Sequence, residues 1–195
     1  MVKILSGAIQ PDEGEIRIEG SPVRFSGPQD AFNQGICTVY QEMSLVPGLS
    51  VAENILLGRW AKKRRLGIEF IDRAEIRRVA QAALDQLEIK LDLDELVSRL
   101  NVAQQQLVEI AKAISFDPRV LVLDEPTSAL PAGEVEILHK VVRRLAEQGR
   151  AIIYVTHRLQ EIPYVADSVT VLRDGQCIGT ITEAEATPER IANMM

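Results

Sequence analysis

The chain has 195 residues, 46% of them hydrophobic, and its 28 acidic against 22 basic side chains give a formal net charge of -6. That length is enough to bury the core of one ordinary domain, and the acidic balance lacks the basic face that nucleic-acid binding calls for. The only cysteines, Cys37 and Cys177, stand far apart and outside any metal-ligand spacing, which argues against a disulfide framework or a zinc site and for two small buried hydrophobes. No apolar run approaches the ~18 residues of a membrane-spanning helix, and the N-terminus lacks the hydrophobic core of a secretory signal.

Residues 15–20 alternate polar and apolar, and with 21–25 they predict a half-exposed antiparallel pair. A short helix over 26–34 and a strand over 35–40 follow. Ser50 and Gly58 bracket a predicted helix as N-cap and C-cap, and 72–88 is amphipathic, with Ile76, Val79, Ala83, Leu84 and Leu87 on one face. Residues 50–115 therefore read as a mostly helical block between strands. Within it, Lys62-Lys63-Arg64-Arg65 reads as a solvated loop. Trp60 belongs to core or interface, and 91–96 is a turn without the pattern of a calcium loop. Then come a strand at 119–124, a helix at 133–148, a strand at 151–156, a helix at 158–166 and a hairpin over 168–181 turning at Asp174-Gly175. Alternating β and α elements imply a parallel sheet with helices around it.

Chemistry gathers where the predicted strands stop. Val120-Leu121-Val122-Leu123 runs into Asp124 and Glu125, and carboxylates at the end of a buried parallel strand project into the crevice where open α/β sheets bind ligands. Such a pair suits a magnesium ligand, Asp124, beside a general base, Glu125. A strand that merely ends in a solvated turn would look similar. Gln41 closes the strand at 35–40, and His157 closes the apolar run 151–156, where it could polarise a phosphate or orient water. One helix before the carboxylates lies Leu100-Asn101-Val102-Ala103-Gln104-Gln105-Gln106-Leu107, whose Leu107, Ile110, Ala111 and Ile114 share an inward face.

Taken in this order, the four segments resemble the Q-loop, signature helix, carboxylate strand and switch histidine of ATP-binding cassette (ABC) ATPases. The wording Glu-Pro-Thr-Ser-Ala-Leu with Val-Ala-Gln-Gln-Gln is most similar to carbohydrate importers of the ribose/galactose/xylose type. The resemblance implies an α/β fold like that of P-loop NTPases: a mostly parallel sheet flanked by helices, an inserted helical subdomain and a small antiparallel part. It implies ATP and Mg²⁺ as cofactors, with Glu125 and His157 catalytic and Asp124 and Gln41 at the metal. Gln41, Asn101, Val102, Ala103 and Gln104 would contact nucleotide, the last four reaching ATP held by an opposite cassette. It further implies a second cassette, transmembrane permease subunits and, indirectly, a periplasmic or extracellular sugar-binding protein as partners. No nucleic acid is expected, and the location would be peripheral, at the cytoplasmic face of the plasma membrane.

The chain departs from the family pattern in four places. No G-x-x-x-x-G-K-[ST] phosphate loop occurs in the 195 residues. Asn101 and Ala103 stand where Ser and Gly are usual, and Pro131 replaces the Asp that ends the D-loop. Ala103 matters there only if its position needs φ > 0 or a very close approach to phosphate. Residues 1–7 resemble the end of the helix after the phosphate loop and 187–195 the end of a first cassette. The expectation is thus one partial cassette over 1–195, with a helical subdomain at about 50–115 and the carboxylate strand, histidine and remaining core over 116–195. The competing expectation is a non-catalytic remnant or regulatory module.

Overall fold

Val120–Asp124 (β6) is apolar on both faces because both are covered. It is the middle strand of a parallel sheet, between Ile36–Val39 (β3) and Ala151–Val155 (β7). In register, Val39 stands opposite Leu123, and Asp124 opposite Val155, so all three strands end at the same edge of the sheet. Residues 1–65 and 68–195 are described by this computed structural model. Leu121 and Leu123 face the helices Val102–Ile114 (α5) and Ala132–Glu147 (α6) within the main core. The other face, with Val122 and Ile36, packs against Phe25 and Ala31, the latter from Pro28–Asn33 (α2), and against Val2 of the short helix Val2–Leu5 (α1).

Between β3 and β6 stands the expected helical block: Val51–Ile55 (α3), Arg73–Gln86 (α4) and α5, which bury Ile55, Leu84, Leu87, Val108 and Ile110 against one another. Ser50 caps α3 in a reciprocal capping box with Glu53. Asn54, fully buried, accepts from Val46 N (2.7 Å) and donates to the carbonyls of Val46, Leu49 and Ser50, which pins the chain that follows Gln41. Two antiparallel ribbons lie outside the block, Ile16–Ile18 (β1) with Ser21–Val23 (β2), and Ser168–Arg173 (β8) with Gln176–Thr182 (β9). The β8–β9 ribbon packs Val171 and Ile181 on Ile162, the first residue of Ile162–Val165 (α7), and on Ile191 of Pro188–Met194 (α8).

Four expectations are corrected. The block at 50–115 contains a hairpin, Lys62–Arg65 (β4) against Ile68–Ile71 (β5), with Lys62 bonded to Glu69 across the pair at 3.2 Å; four consecutive cations carry no period-2 signal that could announce a strand. Helix α3 stops at Ile55 rather than at Gly58, because Leu57 N bonds Asn54 O in a tighter three-residue turn. The helix expected over 158–166 is split into a single 3₁₀ turn, Leu159–Glu161, and α7. Pro163 forces the break, since it has no N–H and fits only the first turn of a helix. Cys37 is buried as expected, and burial raises its thiol pKa to about 11, but Cys177 lies exposed on β9.

Candidate functional site

The shared strand ends bring Gln41, Asp124, Glu125 and His157 together. Glu125 continues the β6–β7 ladder by one bond, its N–H donating to Val155 O at 2.9 Å, and then turns with φ +49. A left-handed conformation is unfavourable for a non-glycine residue, more so before a proline such as Pro126, and residues held this way cluster at functional sites. The turn aims the carboxylate at two partners: His157 Nδ1 lies 3.1 Å from Glu125 Oε1, and Gln41 Nε2 lies 3.5 Å from Oε2, at the outer limit of hydrogen bonding. Among the described residues Asp124 has no such partner. Burial, then the Glu125 charge, raises its carboxyl pKa, while the N-terminal ammonium opposes them.

An oxygen-rich edge with few protein ligands suits Mg²⁺, which keeps one or two carboxylates and takes its remaining oxygens from water and phosphate. Asp124, with Gln41 beside Glu125, fits that sparse donor set. Among the described residues no cluster of three or more His, Cys, Asp or Glu could cage a metal unaided. A cleft of about 860 Å³ between α6 and α7 is lined by Leu130, His139 and Tyr164, not by Gln41, Glu125 or His157.

The other expected binding residues stand apart at the start of α5. Asn101 is the N-cap: its Oδ1 accepts from Gln104 N at 2.9 Å, and Gln104 Oε1 accepts from Asn101 N at 3.1 Å. Ala103 sits inside the helix without positive φ, so the position tolerates a Cβ. Val102 is exposed at the tip. No bond joins this helix end to Glu125 or His157 among the described residues. Pro131 is the N-cap of α6 and gives it no side-chain cap bond.

Sequence reasoning missed the residues behind the turn. Thr127, Arg158 and the buried Glu161 form one polar cluster with Tyr154 and Thr156. An i+3 Arg/Glu pair after a histidine looks like a solvated helix surface, and only the backbone path around it reveals the burial.

Residues 1–128 match the family model described as ABC transporter. A Ralstonia nicotianae protein named for ribose/galactose/methyl galactoside import and ATP binding is 46% identical over all 195 residues, which cover 37% of it. A ribose import ATP-binding protein of Rhodopirellula baltica is 45% identical over the whole chain and 38% of its own length. This chain thus spans well under half the length of the curated relatives it matches. Among solved structures, the dimeric ATP-binding cassette MJ0796 bound to ADP and Pi superposes with TM-score 0.78 at 23% identity, covering 93% of this chain and 78% of that one. The cassette MJ1267 of an ABC transporter gives TM-score 0.81 at 23% identity over 99% and 81%.

Proposed function

Because the chain belongs to the ABC transporter family, we propose that it binds and hydrolyses ATP as the cassette of a sugar importer of the ribose/galactose type. The observation that carries the reading is the convergence of Gln41, Asp124, Glu125 and His157 at one sheet edge. Asp124 and Gln41 would hold Mg²⁺, which when bound neutralises charge on the β- and γ-phosphates. Glu125 takes the proton of the attacking water, and its strained turn fixes where that carboxylate sits. His157 meets Glu125 through Nδ1, which leaves Nε2 facing the phosphates, where it donates to a phosphate oxygen when the ring carries a proton on both nitrogens. Asn101, Val102, Ala103 and Gln104 present the N-terminus of a 13-residue helix, a favourable environment for the γ-phosphate of ATP held by a second cassette.

In this reading residues 1–195 form part of one cassette, with the helical subdomain at about 50–115 and the rest of the core over 116–195. The partners are a second cassette, transmembrane permease subunits and, through them, an external sugar-binding protein. Among the described residues no helix is long and apolar enough to cross a membrane; in this reading the permease subunits hold the cassette at the cytoplasmic face.

A non-catalytic module is the second reading, favoured by the absence of G-x-x-x-x-G-K-[ST] from the 195 residues and by Asn101, Ala103 and Pro131. Backbone N–H groups and the lysine of that segment supply much of the grip on a triphosphate. The 195-residue chain is therefore expected to bind a fluorescent ATP analogue with Mg²⁺ only weakly. Joined in frame behind a phosphate-loop segment, it is expected to bind at micromolar concentration and release phosphate. Binding without phosphate release in the joined protein would leave the module reading standing. Labelled-sugar uptake in cells carrying or lacking the gene tests the import half of the proposal.

A further inference from the structure

We propose that Glu161 is a positioning residue that keeps His157 and Glu125 in contact, by tying the loop after β6 to the loop after β7. The inference rests on the reading that Glu125 and His157 carry the chemistry. Glu161 is 5% exposed, and its two oxygens are shared between the loops. Oε1 accepts from Thr127 Oγ1 at 2.5 Å, two residues beyond Glu125. Oε2 accepts from Thr156 Oγ1 at 3.3 Å, one residue before His157, and from Tyr154 OH at 2.8 Å. Arg158, one residue after His157, lies 3.7 Å from Oε1 and also donates to Thr127 O at 3.1 Å. Thr156 Oγ1 in turn accepts from Arg158 N at 2.9 Å, so both residues flanking His157 are anchored to the same carboxylate.

The contact being held needs such an anchor. The His157 side chain is 65% exposed, and an exposed pair gains little net free energy to fix its own geometry. Glu125 also occupies a backbone conformation that persists only where its surroundings over-determine it. The Glu161 cluster is the reverse: a buried charge with three hydroxyl donors and a guanidinium, satisfied throughout and stiff for that reason. Burial, together with the bond to Glu161, raises the Tyr154 phenol pKa, so the phenol remains a donor.

Two substitutions separate positioning from plain stabilisation. Thr127→Val and Tyr154→Phe each remove one hydroxyl from Glu161, but only the first removes the bond from Glu161 to the Glu125 loop, while Arg158 still reaches Thr127 O. The readout is the ring tautomer of His157 in the 195-residue chain, measured by ¹⁵N NMR at alkaline pH. With only His139 and His157 present, His157→Gln assigns the signals. A carboxylate at Nδ1 favours the Nδ1–H form, whereas a free imidazole prefers Nε2–H. The expected result is a predominant Nδ1–H form in the parent that at least halves in Thr127→Val and is kept in Tyr154→Phe, although both lower the melting temperature. An unchanged tautomer in Thr127→Val, or an equal change in the two variants, overturns the positioning role and leaves the His157–Glu125 contact standing. A parent without the Nδ1–H bias, unaltered by Glu125→Gln, overturns both that role and the reading beneath it.

Discussion

The start of α5 and the turn after β6 both place a run of polar groups at the end of an element, and they use them in opposite ways. At α5, Asn101 and Gln104 bond each other's backbone, so the helix end is self-satisfied before any ligand arrives. At β6, Glu125 is held in a strained conformation with partners at 3.1 and 3.5 Å, and Asp124 is half-buried without one among the described residues. The first arrangement stabilises the fold. The second costs stability and leaves hydrogen-bonding capacity for something else, which is the usual signature of a site rather than of a scaffold. The two regions should therefore separate cleanly under substitution, one through activity and the other through stability.

The largest expected effect is on the open turn. In the cassette joined to a phosphate loop, Glu125→Gln should lower phosphate release by about 10²–10⁴ while ATP binding stays within a few-fold, since the amide is nearly isosteric. Loss of binding alongside turnover would mean that Glu125 grips nucleotide rather than activating water. Next comes the closed cap: Asn101→Ala should cost about 1 kcal/mol in denaturant unfolding, because it strips the N-cap acceptor, and Asn101→Ser should recover most of that. A melting curve unchanged by Asn101→Ala would show that the capping box is not formed in solution. At neighbouring Ala103, a helical position with a tolerated Cβ, substitution by Gly should cost up to about 1 kcal/mol. A gain instead would reveal strain at that position.

The smallest effect has the opposite sign. Because burial and Glu125 raise the Asp124 pKa, the folded state binds that proton more tightly than the unfolded chain. Stability is therefore fully present below the unfolded value and falls as pH rises through the window up to the folded pKa. Asp124→Asn removes the penalty and should raise unfolding stability at neutral pH by about 0.5–1 kcal/mol. His139 gives a contrast in the other direction. Burial lowers its pKa, so its contribution is intact above about pH 6.5 and is lost as pH falls through that window. His139→Phe should flatten the decline in unfolding midpoint between pH about 7.5 and about 5.5; an unchanged slope would remove His139 as its source.

Strand ends, the start of α3 and the candidate site residues were legible in the sequence because each rests on a short-range rule. Val120–Leu123 read as a buried strand, Ser50 read as an N-cap, and a carboxylate pair, a glutamine and a histidine could each be seen closing an apolar run, whereas the capping role of Asn101 came only from the structure. What the sequence could not supply was who meets whom. The register Val39 opposite Leu123 and Asp124 opposite Val155 decides that Gln41, Glu125 and His157 share an edge while the α5 terminus does not. Pairing likewise turned four consecutive cations into strand β4, and Pro163 turned one expected helix into two short pieces. Burial of a charge is the most tertiary property of all. Glu161 has the sequence context of a solvated surface residue, and only the meeting of Thr127, Tyr154, Thr156 and Arg158 around it makes a buried carboxylate tolerable, since each donor comes from a different point of two loops and a strand.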